Sequence, residues 1–311
     1  MAAESGKNRR WEGLEYAGVV VLFALLRWLP RRLARALGAA LALALHRLHG
    51  RWRKIGDFNL RLAFPDKSVA EREHILRAAF RQWGWLAAEF ARFPQHTART
   101  IEDVIIYDGF ENYAAAAARR KGVLYLTAHF SAWELGSFAH SLHGHPVSYV
   151  NRPLDNARVD ALVNRYRCAG GNRAIDRRQA ARAILETLRQ GGTVGVLMDQ
   201  NVLTSDPHVF ADFFGVHAST TPGLARFALR TGAAVVPGLV IWDESLGMYR
   251  LRFDPALELT RTGDNERDIV ENTARFNRVL EDYIRRYPEQ WLWIHRRWAT
   301  RPPGEAPLYQ F

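Results

Sequence analysis

Apolar positions change their period along the chain. Between residues 68 and 91, Ile75, Leu76, Ala79, Phe80, Trp83, Leu86 and Phe90 recur on one side of a 3.6-residue repeat. Ser68 stands three residues ahead of Glu71, a capping-box spacing, so a long amphipathic helix is predicted to begin there. After residue 101 short apolar runs of strand length take over: GVLYLTA (122–128), PVSYVN (146–151), TVGVLMD (193–199) and AAVVPGLVIW (233–242). Helical stretches separate them: WELGSFAHSL, DNARVDALVNRYR, RRQAARAILETLRQ and TPGLARFALRT. This alternation predicts an α/β fold, with a mixed, mostly parallel central sheet flanked by helices on both faces. MYRLRFDP is expected to add an edge strand. From Glu266 the tail reads as helix through PEQWLWIHRRW until Pro302 and Pro303 end regular structure.

The N-terminus carries a different pattern. YAGVVVLFALLRWL (16–29) is flanked by Lys7, Arg9 and Arg10 on one side and Arg31, Arg32 and Arg35 on the other. Its uninterrupted apolar part, Ala17 to Leu26, makes a helix only ~15 Å long, against a hydrocarbon thickness of ~30 Å. A second run, RALGAALALALHRLHGRWRK, ends in a basic cluster with a tryptophan. Two readings fit: a pair of core helices, or a membrane anchor with arginine and lysine among anionic headgroups. Arginine and tryptophan bracket the apolar runs in the interfacial pattern, which favours the anchor, either single-pass or monotopic. The expected division is residues 1–55 as a membrane-associated helical segment and 56–311 as the α/β domain. RWLPRR is a poor cleavage junction, so a removed signal peptide is not expected.

Composition narrows the partners. The 311 residues are 48% hydrophobic, enough for a large core, and carry a formal net charge of +11 with a pI near 10.2. Such a balance suits a nucleic acid, an anionic membrane, a phosphorylated substrate or an acidic carrier protein. The arginines are scattered among apolar helices and form no recognised nucleic-acid motif, so no nucleic-acid partner is expected. A single cysteine, Cys168, excludes an intramolecular disulfide and any multi-cysteine metal site; it is expected to be a bystander thiol. No internal repeat is present.

In open α/β sheets, sites gather past the carboxyl ends of strands. Four polar clusters fall there: His129, Asn151-Arg152, Asp199-Gln200 and Asp243-Glu244, the last expected to be a solvated turn. In AHFSAWELG, Glu134 follows His129 by five positions. With Ser131 capping a helix from Ala132, Glu134 would sit in its first turn and approach the imidazole. A carboxylate accepting the Nδ1–H of a histidine fixes its tautomer and leaves Nε2 free to take a proton. Taken alone, the spacing fits equally a core histidine beside a helix-capping glutamate. No G-x-S-x-G elbow supplies a protein nucleophile. No H-E-x-x-H motif is present, His140 and His145 are irregularly spaced, and no metal is expected.

Taken together and in order, AHFSAWELG, NRPLDN, MDQN, FADFFG, STTPGLARFALRTGAAVVP and PEQWLWIHRRW resemble the late lauroyl/myristoyl-type lipid A biosynthesis acyltransferases, within the lysophospholipid acyltransferase superfamily. The similarity covers most of the chain. It implies a glycerolipid acyltransferase-like α/β fold, an O-acyltransferase activity without metal or organic cofactor, and a location on the cytoplasmic face of the inner membrane. It makes His129 the general base and Glu134 its orienting partner in an H-x-x-x-x-D/E dyad. The implied donor is an acyl carrier protein or acyl-CoA thioester. The implied acceptor is a glycolipid in an anionic membrane: a lipid A precursor, or a relative such as a mannosylated phosphoinositide. Asp199 and Gln200 match the family's D-Q and are expected to shape the acceptor pocket. Arg152 is the candidate for oxyanion or phosphate contact, against a plain surface salt bridge. Arg296, with His295 and Arg297, suits phosphate or the acidic carrier, against a solvated basic helix end. Phe213 and Phe214 would line an acyl channel or simply pack, and Thr220 and Thr221 would cap a helix before touching ligand. Two other classes compete: a non-catalytic basic peripheral membrane-binding protein, and a thioesterase that uses His129 to activate water.

Overall fold

The computed structural model describes residues 9–311. Lys7, one of the basic residues flanking the first apolar run, lies outside them, as do the side chains of Arg9 and Arg10. The chain runs α1 (Arg9–Trp28), α2 (Arg31–Leu48), α3 (Gly50–Ala63), α4 (Val69–Ala91), α5 (Ala98–Ile101), β1 (Ile105–Asp108), α6 (Phe110–Ala118), β2 (Val123–Thr127), α7 (Trp133–Leu142) and β3 (Val147–Asn151). It continues through α8 (Ala157–Arg167), β4 (Arg173–Asp176), α9 (Ala180–Arg189), β5 (Thr193–Leu197), β6 (Val209–Phe213), β7 (Val216–Thr220), α10 (Gly223–Thr231), β8 (Ala234–Asp243), β9 (Met248–Phe253) and α11 (Asn265–Arg286).

Seven strands form one sheet in the order β1-β9-β8-β2-β5-β3-β4, parallel throughout except for the antiparallel pair β8–β9. The expected mixed, mostly parallel sheet is therefore present. Alternation along β2 and β8 sends Leu124, Leu126, Val235 and Leu239 into one apolar layer, under α10 and α11. Val123, Tyr125, Val236 and Val240 enter the other, under α6 and α7. The four apolar runs read as strands all are strands. β9 departs from expectation: it is not an edge but lies between β1 and β8. The true edges, β1 and β4, have four residues each, too few to show a period. FADFFG and STT form a separate two-stranded hairpin, β6–β7, which brings Phe213 and Phe214 into the core rather than into a channel. The tail helix also stops early, at Arg286, because Pro288 follows and disfavours helical backbone before it.

α4 begins as its sequence requires: the Ser68 side chain accepts from the Glu71 amide while the Glu71 carboxylate accepts from the Ser68 amide. Its glycine, Gly84, meets Gly38 of α2 so closely that a Cβ on either residue would fall 2.2 Å from the other's carbonyl oxygen. The N-terminal helices are thus seated on the α/β body rather than extended from it. Two of the flanking arginines turn inward as well. Arg31 pairs with buried Glu89 at 2.8 Å, and the Arg35 guanidinium lies 3.9 Å from the ring centres of both Trp85 and Trp242. Burial lowers the Arg35 pKa. Trp11, Leu14, Val21, Leu25 and Trp28 stay exposed along one side of α1, and Leu33, Leu41, Leu45 and Leu48 along α2. Among the described residues no helix is long and apolar enough to cross a membrane, which removes the support for single-pass attachment.

The glycine contact yields a stability test. Gly84→Ala must push α2 and α4 apart and is expected to cost roughly 1–3 kcal/mol in thermal or denaturant unfolding. Gly18→Ala, in open space on α1, should leave the transition unchanged or raise it slightly.

Candidate functional site

The site is built by strand register. β2 and β5 are neighbouring parallel strands paired in step from Val123–Thr193 to Thr127–Leu197. His129 and Asp199 each lie two residues beyond the last pair, so the two turns deliver them to the same level. The Met198 amide donates to the Thr127 carbonyl at 3.1 Å and holds the turns together. His129 Nδ1 lies 2.9 Å from Asp199 Oδ1, and the His129 backbone amide donates to Asp199 Oδ2 at 3.0 Å.

Asp199 is 2% exposed and receives a third bond, from Trp291 Nε1 at 2.8 Å. Burial alone would raise its pKa; the His129 charge, the imidazole hydrogen bond, the indole and the His129 amide outweigh it and hold the carboxyl down to about 2. Asp199 is therefore ionised at neutral pH and acts only as an acceptor, so Nδ1 of His129 carries a proton, and the neutral form of the ring keeps its lone pair on Nε2. Because the folded value lies below the ordinary 3.8, the stability Asp199 adds is complete above 3.8 and is lost as pH falls through about 2. The Gln200 amide nitrogen sits 3.3 Å from His129 Nε2, placed to donate to that lone pair.

Glu134 does not make the bond expected of it. It occupies the first turn of α7, yet its carboxylate accepts from Arg167 of α8, whose Nε lies 3.0 Å from each oxygen. Arg167 also reaches Asn151 Oδ1 at 3.4 Å. Burial would lower the Arg167 pKa, but the Glu134 carboxylate raises it. Nor does Ser131 cap α7. It takes a left-handed backbone with φ of 50°, its hydroxyl is buried without a protein partner, and Ala132 holds the cap position. The turn is held from outside instead. Phe130 bridges Trp291, the Ser131 amide donates to the Gln290 carbonyl, and the Leu292 amide donates to the His129 carbonyl.

That strap gives PEQWLWIHRRW its structural meaning. Arg297 is fully buried and donates to the carbonyls of Gln200 and Ser219 and to Thr220 Oγ1. Burial lowers its pKa to about 10. Burial also lowers His295 to about 4, so its Nε2 is free to accept from the Asn201 amide at 2.9 Å. Arg296 reaches the Phe311 carbonyl at 3.3 Å and lies over Tyr309, away from the groove. Thr220 is buried under Arg297, while Thr221 faces the groove and its Oγ1 accepts from the Gly223 amide at 3.3 Å in the first turn of α10, whose cap position is held by Pro222.

The groove exists because the sheet splits. β3 pairs with β5 only from Val147–Thr193 to Tyr149–Gly195, then follows β4 away. Past that last pair a cavity of about 500 Å³ opens, lined from one face by Trp133, Glu134, Tyr149 and Arg167 and from the other by Ile184, Leu224 and Phe227. His129, Gln200 and Arg152 line it too. The structure thus brings together His129, Asp199, Gln200, Glu134 and Arg152, and leaves Arg296 outside. Sequence reasoning missed Trp291 and Arg167; nothing in PEQWLWIHRRW or NRYRCAGGN signals which carboxylate each one serves. Among the described residues no cluster of three or more His, Cys, Asp or Glu side chains is placed to hold a metal.

The tautomer provides a direct check. In ¹⁵N spectra of the imidazoles, His129 is expected as the Nδ1–H form. Asp199→Asn should redistribute that tautomer, whereas Glu134→Gln should leave it and lower thermal stability by uncoupling Arg167. The reverse pattern would make Glu134 the partner.

The family model described as "Bacterial lipid A biosynthesis acyltransferase" matches residues 5–300. The chain is 32% identical over 263 residues to the lipid A biosynthesis palmitoleoyltransferase of Escherichia coli (strain K12), covering 83% of this chain and 82% of that one. It is 29% identical over 306 residues to the lauroyltransferase of the same organism, covering 97% and 95%, and 25% identical over 258 residues to its myristoyltransferase, covering 83% and 78%. With the family model spanning nearly its whole length, this chain belongs to the bacterial lipid A biosynthesis acyltransferases.

Proposed function

We propose that the protein transfers a fatty acyl chain from a carrier thioester, an acyl carrier protein or acyl-CoA, to a hydroxyl of a lipid A precursor at the cytoplasmic face of the inner membrane. The observation that carries this reading is His129: one ring nitrogen is fixed by a buried carboxylate, and the other faces a largely apolar groove. The acceptor hydroxyl displaces the Gln200 amide at Nε2 and gives its proton to the imidazole. The alkoxide oxygen attacks the thioester carbonyl and the C–S bond breaks. The imidazolium, steadied by Asp199, returns the proton to the departing thiolate. Arg152, which makes no ion pair among the described residues, is the candidate donor for the carbonyl oxyanion or a substrate phosphate. Glu134 and Arg167 together form a fixed, charge-neutral wall of the groove, a positioning role in place of direct contact with His129.

The exposed apolar stripe of α1 and α2 suits monotopic attachment, the stripe entering the acyl boundary and surface arginines meeting anionic headgroups.

With purified protein, acyl-carrier thioester and lipid A precursor, mass spectrometry should show one added acyl group. His129→Ala and Asp199→Asn are each expected to lower the rate roughly 10²–10⁴-fold. Full activity in His129→Ala would refute the assignment; fatty acid released without acceptor would point to thioester hydrolysis instead. In sedimentation with anionic vesicles, Val21→Glu combined with Leu25→Glu should weaken binding and leave Gly18→Ala protein bound.

A further inference from the structure

We propose that Gly195 sets the length of the acyl chain this enzyme transfers. The inference rests on the acyl-transfer reading above and assigns the donor chain to one branch of the groove. The cavity straddles the end of β5, so it has two arms. Ile184, Val196, Leu224 and Phe227 border the arm under α10. Tyr125, Val147, Tyr149 and Gly195 border the arm under α7 and α8. Glu134 and Arg167 lie near the mouth of this second arm, where their charges satisfy each other. Below them the lining becomes apolar.

The bottom of that arm is one layer of the sheet. Tyr125, Gly195 and Tyr149 lie in register across β2, β5 and β3, and Val147 is one step deeper on the same face. Tyr125 sits four residues below His129 along the chain, a descent of roughly 13 Å at 3.3 Å per strand residue. Val147 is 2% exposed and Tyr125 3%, so both are closely packed and form the floor of this arm. Gly195, in contrast, presents bare backbone to the cavity. A Cβ built on it would stand 2.9 Å from Val147 Cγ1 and 4.0 Å from Tyr125 Cδ1. Any side chain at 195 would crowd Val147 and narrow the floor of this arm, where the last carbons of a chain reaching down from the thioester would lie. Glycine in a strand interior gives up packing and backbone entropy, and close approach by a ligand is one reason a strand keeps it.

The test offers the full chain, in anionic vesicles holding lipid A precursor, a ladder of saturated acyl-carrier thioesters differing by two carbons, and reads product lengths by mass spectrometry. Gly195→Ala and Gly195→Val should shift the preferred donor down by about two carbons or more. The donor preferred by wild type should lose roughly tenfold in kcat/KM relative to the shorter one. Val147→Ala, which opens the floor, should shift preference upward and covers the case in which the larger residue at 195 fails to fold. Phe227→Ala, in the other arm, should leave length preference unchanged. Product of unaltered length from folded Gly195 and Val147 variants, or a shift from Phe227→Ala alone, overturns the proposal while leaving acyl transfer standing. Absence of acylated product from wild type instead refutes the acyl-transfer reading itself.

Discussion

The in-step pairing of β2 with β5 is the constraint from which the site follows. Two adjacent parallel strands end at the same level, and each turns two residues later at a residue of the dyad. A carboxylate as deeply buried as Asp199 is stable as an ion only when its oxygens are occupied by donors. It has three: the imidazole, the His129 amide and the Trp291 indole. Removing any one leaves a charge short of partners, so the geometry of the histidine, the carboxylate and the C-terminal strap is a single cooperative arrangement.

That strap explains why so many cationic and aromatic residues crowd the end of the chain. Gln290 brackets the backbone of Trp242, its Oε1 accepting from the Trp242 amide and its Nε2 donating to the Trp242 carbonyl, Trp291 supports Asp199, and Arg297 ties the turn after β5 to β7. Asn59 of α3 donates to the carbonyls of Trp293 and His295, linking the N-terminal helices to the same strap. Arg297, which a surface reading would assign to an anionic partner, works as a buried strut whose guanidinium satisfies carbonyls that would otherwise be stranded. The overall charge of +11 therefore overstates what is offered to a membrane or carrier, since Arg297, Arg31 and Arg35 are spent on internal contacts.

The groove depends on a second feature of the same sheet, the parting of β3 from β5 beyond Tyr149 and Gly195. A continuous sheet would leave the histidine facing solvent above a closed surface. The split places an apolar, two-armed cavity beneath it and joins the chemistry at the sheet rim to a space suited to hydrocarbon. The N-terminal helices complement this by remaining apolar on their outer side while α2 is locked to α4 through Gly38 and Gly84.

Much of this was legible in the sequence. The capping box at Ser68, the four core strands and their intervening helices follow from local periodicity and side-chain chemistry, and their order was enough to suggest the family and to single out His129. What local pattern does not encode is which strand lies beside which. Glu134 is five residues from His129 and Asp199 is seventy away, yet β2 neighbours β5, so the distant carboxylate reaches the imidazole and the near one turns to Arg167. The same holds for β9, taken for an edge, and for the arginines, whose burial depends on what folds over them. Periodicity is a property of consecutive residues and survives in the sequence; strand adjacency, register and burial arise only when separated segments pack, and there the tertiary structure decided the site.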